Sequence, residues 1–233
     1  MVKYIVIAFT LLTGISSAQV TQEIKTNPDD PFIASLYDSL IGSNLKIYTG
    51  KKFYDLLSKK QVEGNLYYRD NDWTTGTLGY EGQVYSHVTM RYHTFHDRLT
   101  ILKPGGYEAI EVPENKIDFF ILHNTKFIKL LEPREGYYAV LYNGNIGIFA
   151  RHYTSRHEKN LLITELKDRQ KYYIKKDNTI TQVKSKGSVM KVLVEQRAEL
   201  RKVLRQRKIM FSQNREFALQ LLGEEFDRLQ KLK

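Results

Sequence analysis

Two of the six histidines, His93 and His96, stand three apart in HTFHD with the carboxylate of Asp97 beside the second. Imidazoles and a carboxylate so spaced could open a zinc site, in which three or four converging ligands activate a bound water. Strand alternation argues otherwise. Over residues 84–92 it sets Val84, Val88, Met90 and Tyr92 on one face, and Tyr85, His87, Thr89 and Arg91, followed by His93, on the other. Arg91 then lies between two imidazoles and repels a second cation. His96 falls on the opposite face from His93 unless the chain turns at Thr94 and Phe95. No His-Glu-x-x-His pattern follows, so the expectation here is a polar strand end that holds no metal.

Other chemistries leave little trace. His123, His152 and His157 are scattered near turns or strand ends, and no G-x-S-x-G marks an exposed nucleophile. Gly105-Gly106 belongs to a turn and precedes no helix, so it is not a phosphate loop. Asp29-Asp30 and Glu224-Glu225 are neighbours in sequence and do not face each other across a cleft. The chain has no cysteine, which excludes disulfides, thiolate nucleophiles, thiolate zinc ligands and a lipidated N-terminal cysteine. Local motifs therefore point to no catalytic residue, no cofactor and no metal ligand. Carboxylates or histidines brought together from distant strands stay open, and with them a hydrolase.

Four segments would have to position any such groups. Residues 1–18, MVKYIVIAFTLLTGISSA, have the basic start, short apolar run and small final residues of a secretory leader, with cleavage expected after Ala18. Residues 19–44 contain DDPFIASLYDSLIG, where Asp30 can cap a helix, Pro31 suits its first position and Gly42 can end it. Its apolar residues recur at helical spacing, which predicts a helix covering one end of a sheet. Residues 45–185 are short runs rich in Tyr, Ile, Val, Phe and Thr, parted by turn residues such as KPGG, LHNT, YNGN and KDNT. That punctuation predicts an antiparallel meander of eight to ten strands, with Asn143-Gly144 as its clearest two-residue hairpin. Residues 186–233 return to helical period and predict a basic helical hairpin, with Ser212 capping its second helix.

Charge is distributed unevenly. The formal net charge is +10, and Lys184 to Arg215 holds ten Lys and Arg against Glu195 and Glu199, a net of +8. On a helix Arg197, Arg201, Arg205 and Lys208 step by four, four and three into one row, opposite a buried side of Val192, Leu193, Leu200, Val203 and Leu204. Such a field draws anions, and these four residues are the candidate site for an anionic envelope component: a lipid headgroup, an acidic glycan or an acidic protein surface. Nucleic acid is not expected as a partner, because export removes it. No later run is long and apolar enough for a transmembrane helix, and the strand runs are too short for a membrane barrel. The 16 Tyr and 11 Phe are in excess, with pairs such as Tyr67-Tyr68, Tyr137-Tyr138 and Tyr172-Tyr173. Most suit a half-solvated sheet, although exposed Tyr can form a platform for sugar or protein.

The order of these segments resembles a family of exported proteins of Bacteroidota-type bacteria for which no activity is established. The likeness runs through IYTGKKFY (47–54), GTLGYEGQVYSHVTMRY (76–92) with DRLTIL (97–102), EGYYAVLYNGNIGIFARHY (135–153) and KYYIKKDNTITQVKSKGSVMKVL (171–193), then the final helices. In that family the position after Tyr92 is usually Asp, so His93 departs from the pattern, which weakens a metal role further. The resemblance implies export and a β domain with a helical tail. The combined expectation is an α+β protein: leader, capping helix, antiparallel meander folded as a sandwich or open barrel, and C-terminal helical hairpin. Its function is expected to be non-enzymatic, as a periplasmic or peripheral outer-membrane binding or scaffolding module, the alternative being a hydrolase of an envelope glycan or peptide.

Overall fold

The computed structural model describes residues 46–54, 61–158 and 163–232. The leader and the helix expected within residues 30–42 lie outside these. The described residues form twelve strands: β1 (Lys51–Lys52), β2 (Gln61–Glu63), β3 (Thr74–Tyr80), β4 (Gln83–His93), β5 (Arg98–Leu102), β6 (Ala109–Glu111), β7 (Ile117–Leu122), β8 (Thr125–Leu130), β9 (Gly136–Asn143), β10 (Gly147–Glu158), β11 (Ile163–Lys176) and β12 (Thr179–Val183). All belong to one sheet, ordered β1-β6-β5-β4-β3-β7-β8-β9-β10-β11-β12, with β2 pairing the far end of β11. Every pairing is antiparallel except β2 with β11. Among the described residues the sheet is open, with β1 and β12 at the two ends of its strand order.

Turn chemistry explains much of this meander. Glu81-Gly82, His123-Asn124 and Asp177-Asn178 are two-residue connections with positive φ at both positions, the backbone twist that a tight hairpin needs. Asn143-Gly144 behaves differently. Residues 144–146 make a three-residue loop, neither Asn143 nor Gly144 has positive φ, and the Gly144 amide donates to the Ile146 carbonyl at 3.0 Å. The reason is tertiary: a helix carboxylate, described below, takes this loop's outward amide. In β4 a bulge interrupts alternation, since Gly76 faces Val88 while Leu78 faces Tyr85, and His87 sits at φ 58°. Val88, Met90 and Tyr92 remain on the core side as expected. Val84 is shifted outward to 63% exposure, and Tyr85 packs against the core instead.

Among its described residues the tail contains three α-helices where a hairpin of two was expected. α1 (Lys186–Val192) begins with a reciprocal cap between Ser185 and Ser188, and a 3-10 turn over Val194–Gln196 separates it from α2 (Arg197–Gln206). α3 (Arg215–Gln230) has Asn214, not Ser212, at its N-cap. One apolar cluster joins the inner face of the sheet to Leu193, Leu200 and Leu204 and to Leu219, Leu222 and Phe226 of α3. Each such fully buried side chain contributes roughly 1.5–3 kcal/mol relative to exposure. At its centre Phe120 and Phe127 stack with centroids 4.8 Å apart. The Tyr92 ring lies 5.9 Å from that of Tyr137, on a strand four places away in the sheet, so the inner face curls strongly upon itself. α3 closes against β9 through Gly223, where an added Cβ would lie 2.5 Å from the Tyr142 ring. One turn on, an Asp227 carboxylate oxygen accepts from the Tyr142 hydroxyl at 2.8 Å and from the Asn145 amide at 2.7 Å. Among the described residues no helix is long and apolar enough to cross a membrane.

Candidate functional site

The chain does turn at residues 94–97, and the turn brings His93 and His96 together with ring centroids 4.6 Å apart. The His96 amide donates to Nδ1 of His93 at 3.1 Å, and the fully buried His93 ring packs edge-on against Tyr67 and Phe53. Asp97, at φ 58°, aims its carboxylate elsewhere. Its Oδ1 accepts from the Tyr92 hydroxyl at 2.6 Å and the Tyr137 amide at 3.3 Å, while Oδ2 accepts from Arg151 Nη2 at 3.0 Å. Both oxygens are therefore committed to protein donors. Among the described residues no three His, Asp or Glu gather where they could hold a metal ion.

Arg151 and His152 are consecutive on β10, so alternation sends them to opposite faces. On the outer face Arg151, Asp97, Arg134 and Lys171 line a cleft of about 810 Å³. Much of its charge is already paired: Arg98 with Glu111 and Glu114, Lys129 with Glu114 and Glu135, and Arg151 with Asp97. Burial, reinforced by the Asp97 charge, pushes the Tyr92 phenol well up and that of Tyr137 upward as well, so both stay protonated as donors or spectators at neutral pH.

On the inner face His152 forms the floor of a second cleft, of about 640 Å³. Five pieces of chain build it: Tyr67, Tyr68 and Arg69 ahead of β3, Thr94 in the turn after β4, His152 and Tyr153 of β10, Asp168, Arg169, Gln170 and Tyr172 of β11, and residues 212–217 leading into α3. The His152 ring packs edge-on to Tyr68 with centroids 4.8 Å apart. Its Nε2 lies 3.4 Å from Glu216 Oε1, yet has no aligned hydrogen-bond partner. Proximity alone suggests an ion pair, but burial, aided by the Arg69 charge, lowers the imidazole to about 4. A neutral ring therefore faces the carboxyl group at pH 7. Burial also raises Glu216 above the ordinary carboxylate range, opposed by a Tyr172 hydrogen bond and by Arg69. Asp168 is raised for the same reason, opposed by Thr154. Arg69, Arg169 and Arg215 reach this cleft, and none makes an ion pair with a described residue.

The four cations singled out from the sequence fall as one exposed row. Arg197, Arg201 and Arg205 stand on α2, and Lys208 follows it at φ 52°, its amide donating to the Arg205 carbonyl at 3.1 Å. Leu193, Leu200 and Leu204 are buried beneath them, with Val192 and Val203 half-buried. Among the described residues none of the four has an ion-pair partner, whereas the adjacent Arg207 pairs with Glu225 at 3.2 Å.

Local sequence pattern hardly marks the His152 cleft. Its one sequence signal was the pair Arg151-His152 inside an otherwise apolar strand, GIFARHYT. Glu216 could be joined to it only by knowing how α3 docks. Comparison with protein-family models, with curated proteins and with solved structures found no match.

Proposed function

We propose that this is an exported, non-enzymatic binding or scaffolding protein of the cell envelope, docked through α2 to an anionic phospholipid surface. The row Arg197, Arg201, Arg205 and Lys208 supports this reading, because it is exposed and unneutralised while Leu200 and Leu204 anchor its helix in the apolar core. Headgroups are favoured over an acidic glycan or protein by what brackets the row. Val194, 58% exposed, stands on the 3-10 turn just before it in the chain, and Met210, 54% exposed, follows Lys208 by two residues. Cations flanked by exposed apolar side chains suit the boundary between headgroups and acyl chains.

Each Lys or Arg near an anionic surface is worth about 1 kcal/mol, so removing two should weaken binding roughly 30-fold. The test is sedimentation with vesicles of phosphatidylcholine alone or mixed with phosphatidylglycerol. The wild type should bind only the mixed vesicles and should release as salt shortens the screening length. Arg201→Glu with Arg205→Glu should abolish binding without changing the melting temperature. Binding indifferent to salt and to both reversals, or binding of acidic glycan in place of vesicles, would overturn the lipid assignment.

A further inference from the structure

We infer that the cleft over His152 is a binding site for a neutral oligosaccharide, separate from the cationic row on α2. Its size falls within the roughly 300–1,000 Å³ typical of small-ligand pockets. The fixed charges within it oppose each other. Arg69, Arg169 and Arg215 line it together with Asp168 and Glu216. An anionic ligand would meet two carboxyl groups and a cationic one three guanidinium groups. A sugar hydroxyl both donates and accepts, so one ligand class can use both sets at once. Arg, Asp, Glu, Gln and Asn end in planar groups with two or three polar atoms, which can span the vicinal hydroxyls of a pyranose.

Apolar surface in the cleft is placed to suit a ring. Phe217, in the first turn of α3, lines the cleft and is 57% exposed. Flat aromatic faces beside polar groups suit a ligand with one C–H face and hydroxyls round its edge. A peptide would want an apolar recess for its side chains, whereas here the depth of the cleft is polar. Asn214 makes no side-chain cap, so the leading amides of α3, which have no intrahelical acceptor, add donors at the same end.

Calorimetric titration of the purified protein with cellohexaose, maltohexaose and chitohexaose tests this, with a hexagalacturonate and a mixed-sequence hexapeptide as contrasting probes. At least one neutral hexasaccharide should bind saturably. Phe217→Ala should weaken it about tenfold, the loss of a stacking contact. Glu216→Gln should also weaken it, while Arg201→Glu with Arg205→Glu should leave it unchanged, which separates this site from vesicle docking. Phe217 is exposed, so its removal should leave the melting temperature in place. The inference is overturned if no neutral hexasaccharide binds at millimolar concentration, if only the acidic sugar or the peptide binds, or if binding ignores both cleft variants.

Discussion

Asp97→Asn isolates the charge at the turn where the histidines meet. Asparagine tolerates the positive φ at this position and keeps an acceptor oxygen for Tyr92 and the Tyr137 amide, so the change removes the anion facing Arg151 and sets an amide NH2 where Oδ2 accepted its hydrogen bond. Arg151 is only 7% exposed, and its Nη2 lies 3.0 Å from the lost charge. Stranding one member of a buried pair costs about 3–5 kcal/mol. The retained hydrogen bonds, and the 22% exposure of the Asp97 side chain, place the expectation at the lower end, about 3 kcal/mol. For a chain of this size that is roughly 6–12 °C of melting temperature. Urea unfolding should show a lower midpoint at unchanged slope. Arg151→Met in the Asp97→Asn background should recover much of the loss, because no charge is then left buried. A loss below about 1 kcal/mol, or a double variant no better than the single, would refute the claim that this pair is desolvated.

Further outcomes follow from the same geometry. The unfolded imidazole of His152 takes its proton near 6.5 and the folded one only near 4, so protons bind the unfolded chain first and stability falls as pH drops through that window. The difference of 2.5 units corresponds to about 3 kcal/mol, while the raised Glu216 acts in the opposite sense. His152→Phe should therefore lose less stability than wild type between pH 7 and 4, and parallel curves would count against it. Asp227→Ala should cost about 3 kcal/mol in urea unfolding, because it strips two bonds to a charged acceptor from Tyr142 and Asn145. Gly223→Ala raises helix propensity but drives Cβ into Tyr142, so it should destabilise by about 1–2 kcal/mol instead of stabilising.

Local chemistry made some of the fold legible and left the rest hidden. LHNT and KDNT became tight hairpins because their turn residues accept positive φ whatever surrounds them. YNGN carried the same signal, but Asp227 captured the Asn145 amide and the loop took another shape. Alternation placed Met90 and Tyr92 correctly and failed at Val84, on the far side of a bulge that depends on the pairing with β3. The spacing of Arg197, Arg201 and Arg205 was enough to make an exposed row, since a helix fixes its own faces. The number of sheets, the break in the tail at Leu193, and the meeting of His152 with Glu216 all depend on docking between segments distant in sequence. Likewise, whether Thr94 and Phe95 would turn was undetermined by periodicity. The turn is held from outside, by the Thr94 hydroxyl bonding the Leu66 carbonyl at 3.0 Å and the Thr154 hydroxyl at 2.7 Å.

The docking of α3 bears on the order in which the chain can acquire its native state. The side chains that α3 covers, Tyr142 and its neighbours on β9 and β10, leave the ribosome well before residues 215–230 do. Until then a completed meander would present a wet apolar face and an untethered loop at Asn145, the kind of intermediate on which aggregation and chaperone capture compete. Folding should thus be governed by the arrival of α3. A chain ending at Asn214 should keep β-type circular dichroism but bind a hydrophobic dye and unfold without a sharp transition. Supplying residues 215–230 as a separate peptide should restore the cooperative transition if the helix acts by covering that face.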